Sequence, residues 1–326
     1  MPKITFIGAG SLGFFKTLMI DCLSFDALRH ADWAIVDIDE KRLGYAHRIA
    51  KRIMGEAKST GDLQVSTDRR EVLEGSDYVI MAILVGGYEP IAHDVDIPMK
   101  YGVDQCIADS HGPGGVFRAL RTIPVKVDIA RDIEELCPDA WVLSYTNPMS
   151  MLCRAMTSET DINLVGLCHS VQGTTGMLAD WVGAPKSEID YLVAGINHQA
   201  WVLRIRHNGE DLYPRIHKAA NEPEHYKSLT ASVEMLNHLG YFVTEGSGHN
   251  SEYNAWFRRT PEMVEKYCPG GRWNGGSGFI KQLYGTDRQN WEQEQEKYAS
   301  DTAPIEFNRS HEYLSLIHIS EPTRPY

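Results

Sequence analysis

The chain has 326 residues, 43% of them hydrophobic and 23% charged, with a formal net charge of −12. That is the composition of a globular protein able to bury one large core or two closely packed lobes. The acidity and the lack of any Lys/Arg run interleaved with aromatics exclude nucleic acid as a main partner, so a phosphate-bearing ligand needs local donors. No stretch approaches bilayer length and the N-terminus carries no basic, apolar signal sequence, so no membrane partner and a cytoplasmic location are expected. The six cysteines, at 22, 106, 137, 153, 168 and 268, show no CxxC spacing and are expected as free thiols.

Lys3 to Ile7 reads as a buried strand, and Gly8-Ala9-Gly10-Ser11-Leu12-Gly13 follows at once, opening a helix from Phe14 to Leu23. This is GxGxxG between strand and helix. Gly8 permits the tight turn, Gly10 lets backbone amides approach a pyrophosphate, Gly13 allows close helix–strand contact, and the helix N-terminus attracts negative charge. Gly8, Gly10, Ser11, Leu12 and Gly13 are therefore candidate cofactor contacts. A second strand, Trp33 to Ile38, carries Asp37 at its end, placed to accept from an adenosine ribose. With Asp39 beside it, Asp37 repels a 2′-phosphate, so NAD is expected over NADP.

Leu43, Ala46, Ile49, Ala50 and Ile53 fall at helical spacing within residues 41–58. Leu63 to Val65 is a short strand, and Tyr78 to Val85 a buried one running into Gly86-Gly87-Tyr88-Glu89-Pro90. Gly86 and Gly87 either make a simple turn or, at the carboxyl end of an open sheet, touch the cofactor. Ala108 to Gly115 breaks all periodicity, which marks a flexible or ligand-covering loop before a helix from Val116 to Leu136. Trp141 to Tyr145 is a strand ending in Thr146-Asn147-Pro148-Met149, where Asn147 either caps the next helix or points its amide into the cleft.

Asn163 to Leu167, another strand, delivers Cys168-His169, and Tyr191 to Gly195 delivers Asn197-His198. A lone Cys or His there is ordinarily structural. Two of them on neighbouring strand ends facing a dinucleotide site favour a divalent metal, with coordination positions open for substrate. Helices are expected over residues 228–239 and 288–299. Between them Gly240 to Tyr253, dense in polar, titratable and aromatic residues, reads as a sugar-binding loop or an ordinary exposed one. The order of elements predicts an α/β protein: a Rossmann-type doubly wound parallel sheet over residues 1–195 that binds NAD, and an α+β substrate, metal and oligomerisation lobe over residues 196–314, as in lactate and malate dehydrogenases.

Taken together and in order, Ile7-Gly8-Ala9-Gly10-Ser11, Gly86-Gly87-Tyr88-Glu89-Pro90, Gly112-Pro113-Gly114-Gly115, Arg118-Ala119-Leu120-Arg121-Thr122-Ile123-Pro124, Asn147-Pro148-Met149, Gly166-Leu167-Cys168-His169-Ser170 and Ala194-Gly195-Ile196-Asn197-His198 resemble glycoside hydrolase family 4, especially its α-galactosidase branch. The resemblance implies hydrolysis by redox and elimination. NAD takes hydride from C3 of the sugar, a base removes the acidified C2 proton while a metal on the C2 and C3 oxygens stabilises the enediolate, the glycosidic oxygen leaves C1, water adds, and NADH returns the hydride. It makes Cys168 and His198 the metal ligands, with Mn2+ the family's usual ion although softness rules alone favour zinc. Tyr253 becomes the base, Asp109 the carboxylate that raises its basicity, and Asn147 a holder of a sugar hydroxyl. The leaving-group acid stays open between His169, where some members carry an acidic donor, and Glu245. Phospho-glycosidase members place an arginine after the Gly86-Gly87 loop where this chain reads Ile91-Ala92-His93, so an unphosphorylated galactoside is the expected substrate. Homodimers or homotetramers are usual in the family.

Residues 315–326 resemble translated sequencing adapter more than native protein, and family members continue well beyond this point. The second lobe is thus expected to be incomplete and the 326-residue chain unstable or inactive, an expectation that robust NAD- and Mn2+-dependent melibiose cleavage refutes. Two other readings share the first domain. A 2-hydroxy-acid dehydrogenase needs a His–Asp pair and a carboxylate-binding arginine and has no use for Cys168; a non-catalytic NAD-binding protein binds NAD without turnover.

Overall fold

The structure, a computed structural model, describes residues 1–270, 274–300 and 302–307. The proposed non-native tail, residues 315–326, lies outside them. In chain order the elements are β1 (Lys3–Ile7), α1 (Leu12–Leu23), β2 (Asp32–Val36), α2 (Glu40–Glu56), β3 (Leu63–Ser66), β4 (Tyr78–Met81), α3 (Glu89–Met99), α4 (Gly112–Leu136), β5 (Trp141–Ser144), α5 (Met149–Glu159), β6 (Asn163–Gly166) and α6 (Ser170–Trp181). There follow β7 (Ile189–Ile196), β8 (Gln199–His207), β9 (Glu210–Asp211), α7 (Tyr213–Ala220), α8 (Pro223–Ser228), α9 (Thr230–Leu239), β10 (Phe242–Val243), α10 (Ser247–Tyr253), α11 (Pro261–Tyr267) and α12 (Phe279–Ala299). They form two compact units. The first comprises Met1–Gly87, Ala119–Leu167 and the chain from Gly285, the second Tyr88–Arg118 and Cys168–Tyr284.

The first unit is built on a six-stranded sheet in the order β3-β2-β1-β4-β5-β6, every pairing parallel. This is the doubly wound dinucleotide-binding order, whose switch point lies between β1 and β4. The strands are nearly continuous apolar runs, as burial on both faces of a parallel sheet requires. Phe6, Trp33 and Ile35 of the sheet are fully buried with Phe15 and Leu18 of α1 and Ile49 and Ile53 of α2. In α2 the buried positions Leu43, Ala46, Ile49, Ala50 and Ile53 are those its spacing predicts, and Asp39 caps the helix by accepting from the Arg42 amide.

Two local expectations change. The strand expected over residues 78–85 ends at Met81, because the Ile83 amide donates to Thr146 Oγ1 at 3.3 Å instead of continuing a ladder. Gly13 does not provide close helix–strand contact: it is exposed, and a methyl there meets nothing within 4 Å. The tight approaches belong to Gly8 and Gly10, where a Cβ would lie 2.3 Å from the Ala82 carbonyl oxygen and 2.6 Å from Asp37 Oδ2 respectively.

In the second unit β10, β8 and β7 form an antiparallel sheet, with β9 also on β8. Val202, Ile205, Leu212, Ile216, Val233, Leu236 and Phe242 make its main core with Leu178 of α6. The glycine-rich run before α4 is not a flexible loop. It is the first turn of the helix, which starts at Gly112, and a Cβ on Gly114 or Gly115 would fall 2.5 Å from Ala108 Cβ or 2.6 Å from the Ser110 carbonyl carbon. The missing side chains let this turn seat against the Ala108–Ser110 backbone.

One core residue of the first unit is out of place chemically. Lys126 of α4 is fully buried, with Nζ 3.2 Å from Ser144 Oγ and 3.5 Å from Met81 Sδ, both neutral. Burial pushes its amine down to about 7 from 10.5. Between those values the unfolded chain holds a proton that the folded chain has lost, so stability rises with pH through this window and the penalty is constant below it. Lys126→Met is therefore expected to stabilise the protein by up to about 4 kcal/mol near pH 6, with the advantage shrinking towards about pH 10. Denaturant midpoints of the two proteins across that range measure it; a difference independent of pH contradicts it.

Candidate active site

The second unit gathers side chains from four separate places. Cys168 lies two residues past the end of β6 and two before the start of α6. Asn197 and His198 are the two residues joining β7 to β8, whose last pair is Ile196 with Gln199. The hairpin is tight: Gly195 has φ 141°, and a Cβ on it would lie 2.5 Å from Ala200 Cα. Asp109 and Ser110 come from the segment before α4, and Glu245, His249 and Tyr253 from the turn after β10 and from α10. Cys168 and His198 thus stand at the ends of strands in different sheets rather than on neighbouring strands as expected.

The imidazole of His198, 7% exposed, has two distinct sides. On the Nδ1 side Ser110 Oγ is hydrogen-bonded at 2.7 Å, and that hydroxyl donates to Asp109 Oδ1 at 2.8 Å. On the Nε2 side Glu245 Oε1 lies at 3.8 Å, and the same oxygen is 3.9 Å from Cys168 Sγ. Cys168, His198 and Glu245 present one ligand atom each within 4.8 Å of one another, and so do Asp109, His198 and His249. His249 bridges the carboxylates, with Nε2 3.7 Å from Asp109 Oδ1 and Nδ1 3.8 Å from Glu245 Oε2.

Burial opposes charge on all of these groups, and pairing overrides it. Despite desolvation, Cys168 and Glu245 push His198 up to about 10, and His198 draws the Cys168 thiol below its ordinary range. The pairing favours a thiolate beside an imidazolium, and metal binding requires the thiolate and the neutral imidazole. Asp109 is likewise held well below the usual carboxylate range, burial being outweighed by His249 and His198. Tyr253 is driven the other way. Burial, then the Asp109 and Glu252 carboxylates, raises its hydroxyl well above its ordinary value, while that hydroxyl donates to Asp109 Oδ1 at 3.3 Å. The phenolate made there is a strong base, and forming it requires a cation nearby.

The sequence-predicted pairs Cys168 with His198 and Asp109 with Tyr253 are thus each in contact. His169 is exposed at the start of α6 and belongs to neither ligand group. In the first unit Gly8, Gly10, Ser11 and Leu12 run from β1 into α1, with the Ser11 amide bonded to the Gly8 carbonyl. Asp37 accepts from the Gly10 amide at 2.8 Å and from the Asp39 amide at 3.0 Å. Gly86 and Gly87 turn with φ 81° and 67°, and Asn147 is half-buried after β5.

Reading the sequence did not single out Ser110, His249 or Glu252. The second half of the stretch 240–253, expected as a loop, is the short helix α10, and helical spacing is the signal that sets His249 and Tyr253 on one face. Glu252, on the same helix, accepts from the backbone amides of Cys106, Ile107 and Ala108 at 2.6, 2.9 and 2.9 Å. This carboxylate ties the Asp109 segment to the helix of Tyr253. Glu252→Ala leaves those buried donors without an acceptor and is expected to cost about 2–4 kcal/mol. It is also expected to speed amide exchange at residues 106–108 selectively; unchanged protection there contradicts the tie.

Residues 3–184 match the family model described as family 4 glycosyl hydrolase, and residues 193–321 match the family 4 glycosyl hydrolase C-terminal domain. The chain is 41% identical to an alpha-galactosidase of Bacillus subtilis (strain 168), across 100% of this chain and 75% of that one. Among solved structures it resembles a putative glucosidase, lplD, from Bacillus subtilis (TM-score 0.83, 26% identity, covering 96% of this chain and 74% of that one). It also resembles a 6-phospho-beta glucosidase from Thermotoga maritima determined with manganese, NAD+ and glucose-6-phosphate (TM-score 0.71, 18% identity, covering 94% of this chain and 68% of that one). The parallel dinucleotide-type sheet, the antiparallel second sheet and the clustered Cys168, His198, Asp109 and Tyr253 have the same explanation: the chain belongs to the family 4 glycosyl hydrolases.

Proposed function

We propose that the protein is an NAD- and Mn2+-dependent α-galactosidase in which Cys168 and His198 hold the ion and Tyr253 is the base. The observation that carries this reading is the convergence of Cys168 and His198 in a buried site with carboxylates on either side. A thiolate, an imidazole and carboxylate oxygen form a donor set suited to a divalent transition metal. The first unit supports NAD: the backbone of Gly8 and Gly10 passes where a methyl would collide, and the α1 N-terminus opens directly behind it. The 41% identity to the alpha-galactosidase of Bacillus subtilis (strain 168) supports the galactoside, as does the His93 segment in place of a phosphate-binding arginine.

When bound, NAD supplies a hydride acceptor and donor at C3 of the sugar, and the ion a Lewis acid for the C2 and C3 oxygens. The chain does the rest. Cys168 binds as the thiolate and His198 as the neutral imidazole, and Ser110 on Nδ1 fixes which imidazole nitrogen faces the ion. Tyr253 takes the proton from C2, and Asp109 holds its hydroxyl in place and favours its return to the phenol form. Asn147 binds a sugar hydroxyl. His169 or Glu245 serves as the leaving-group acid, and the enzyme works in the cytoplasm as a homodimer or homotetramer; among the described residues no helix is long and apolar enough to cross a membrane.

Leaving out NAD, Mn2+ or reductant is each expected to abolish release of nitrophenol from p-nitrophenyl α-galactoside by the protein; net accumulation of NADH would point instead to a dehydrogenase. Cys168→Ser is expected to weaken Mn2+ binding about 10–100-fold and stop turnover while NAD still binds. Full activity in that variant removes the metal from this site.

A further inference from the structure

We propose that Glu245 is a third protein ligand of the divalent ion, completing a Cys168–His198–Glu245 set. The inference rests on the metal reading of Cys168 and His198 and adds to it. It is the Oε1 atom of Glu245 that faces both of those ligands, at 3.9 Å from Sγ and 3.8 Å from Nε2. Ligands about 2.0–2.3 Å from a shared ion stand about 3–4 Å from each other, so Oε1 stands at that spacing from both Sγ and Nε2, and all three ligand atoms lie within 4.8 Å of one another. Oε2 is turned away, towards His249 Nδ1 at 3.8 Å, which leaves one oxygen for the ion.

The backbone is arranged to deliver this carboxylate. Glu245 has φ 70°, a left-handed conformation that a non-glycine residue adopts only when its surroundings impose it. Its amide donates to Thr174 Oγ1 at 3.2 Å, on the helix that begins just after Cys168. The preceding residue, Thr244, pairs with Ala200 in both directions, amide to carbonyl at 2.7 Å and Ala200 amide to Thr244 Oγ1 at 3.1 Å. Ala200 follows the His198 hairpin by two residues. The Asn250 side-chain amide reaches the carbonyls of Thr244, Glu245 and Gly246 at 3.1, 3.2 and 3.2 Å. Glu245 is therefore tied on one side to the element carrying Cys168 and on the other to the element carrying His198.

The charge balance fits as well. A thiolate and a carboxylate this close repel strongly away from water unless a cation lies between them, and with a neutral imidazole they neutralise a divalent ion completely. A carboxylate also adds a hard oxygen to a soft sulfur and an imidazole, which moves the donor set from zinc towards manganese. A ligating Glu245 cannot at the same time be a free leaving-group acid, and this separates the two roles.

The test uses the 326-residue chain and Mn2+ alone, with free ion followed by electron paramagnetic resonance. Glu245→Gln is expected to weaken Mn2+ binding about 10–100-fold with NAD affinity unchanged. With Co2+ as a reporter, the thiolate-to-cobalt charge-transfer band persists in Glu245→Gln while the visible d–d bands shift, a change that general loosening of the fold does not produce; Glu245→Asp recovers part of the affinity. Wild-type Mn2+ affinity and an unshifted Co2+ spectrum in Glu245→Gln overturn the proposal and leave Glu245 as an acid. Undiminished binding in Cys168→Ser, or no Mn2+ binding by the wild type, overturns the underlying metal reading along with it.

Discussion

The second unit depends on one electrostatic compromise: His198 is buried between a thiol and carboxylates that are all costly to bury alone. Removing an isolated thiolate or carboxylate from water costs several kcal/mol, and attraction to a cation returns this only when the geometry is close. Here His198 supplies the attraction: Cys168 and Glu245 favour its protonated form, and it in turn favours the ionised forms of Cys168 and Asp109. The arrangement is self-consistent but over-supplied with negative charge. Glu245 shares the imidazole with Cys168, Asp109 meets it through Ser110, and Glu252 lies close behind. A cluster so poised gains most from an ion of higher charge than a proton.

That compromise requires rigid supports, and the backbone provides them where the sequence has glycine or unusual torsions. Gly195 lets the hairpin close tightly enough to set His198 at its tip, and Gly114 and Gly115 bring the first turn of α4 against the residues beside Asp109. Glu252 then holds the Asp109 segment from the opposite direction through its backbone amides. Residues of the buried cluster and residues that hold them in place therefore alternate along short stretches: Ser110 beside Asp109, Glu252 beside Tyr253, Thr244 beside Glu245. A one-residue shift in any of these segments would exchange a member of the cluster for a supporting group.

The dinucleotide half was legible because its signals are local. A strand, GxGxxG, a helix and a second strand ending in an acid lie within the first forty or so residues, and parallel strands buried on both faces leave unmistakable apolar runs. Even there Gly13 misled, since an exposed helix position tolerates glycine without needing it. The substrate half was legible only in its chemistry-bearing pairs: Cys168 and His198 stood out as a thiol and an imidazole at strand ends, whereas Asp109 and Tyr253 were legible only through their resemblance to a family. Cys168 and His198 are far apart in the chain and sit in different sheets, so no periodicity links them. Gly112, Gly114 and Gly115 read as a flexible break because composition cannot distinguish a glycine chosen for mobility from one chosen for close approach.

The same distinction explains why Ser110, His249 and Glu252 were invisible. Each acts on a group from another segment, and in the sequence each looks like an ordinary polar residue in an ordinary polar stretch. Helical phase is the information that was missing. Once 247–253 is a helix rather than a loop, His249 and Tyr253 share the face that meets Asp109, and Glu252 next to them reaches the amides of residues 106–108. A dense run of titratable residues therefore need not be a loop: a loop scatters such groups into solvent, whereas a short helix whose buried side is small, as Ser247, Gly248 and Ser251 are here, can be packed with its titratable groups facing the rest of the cluster.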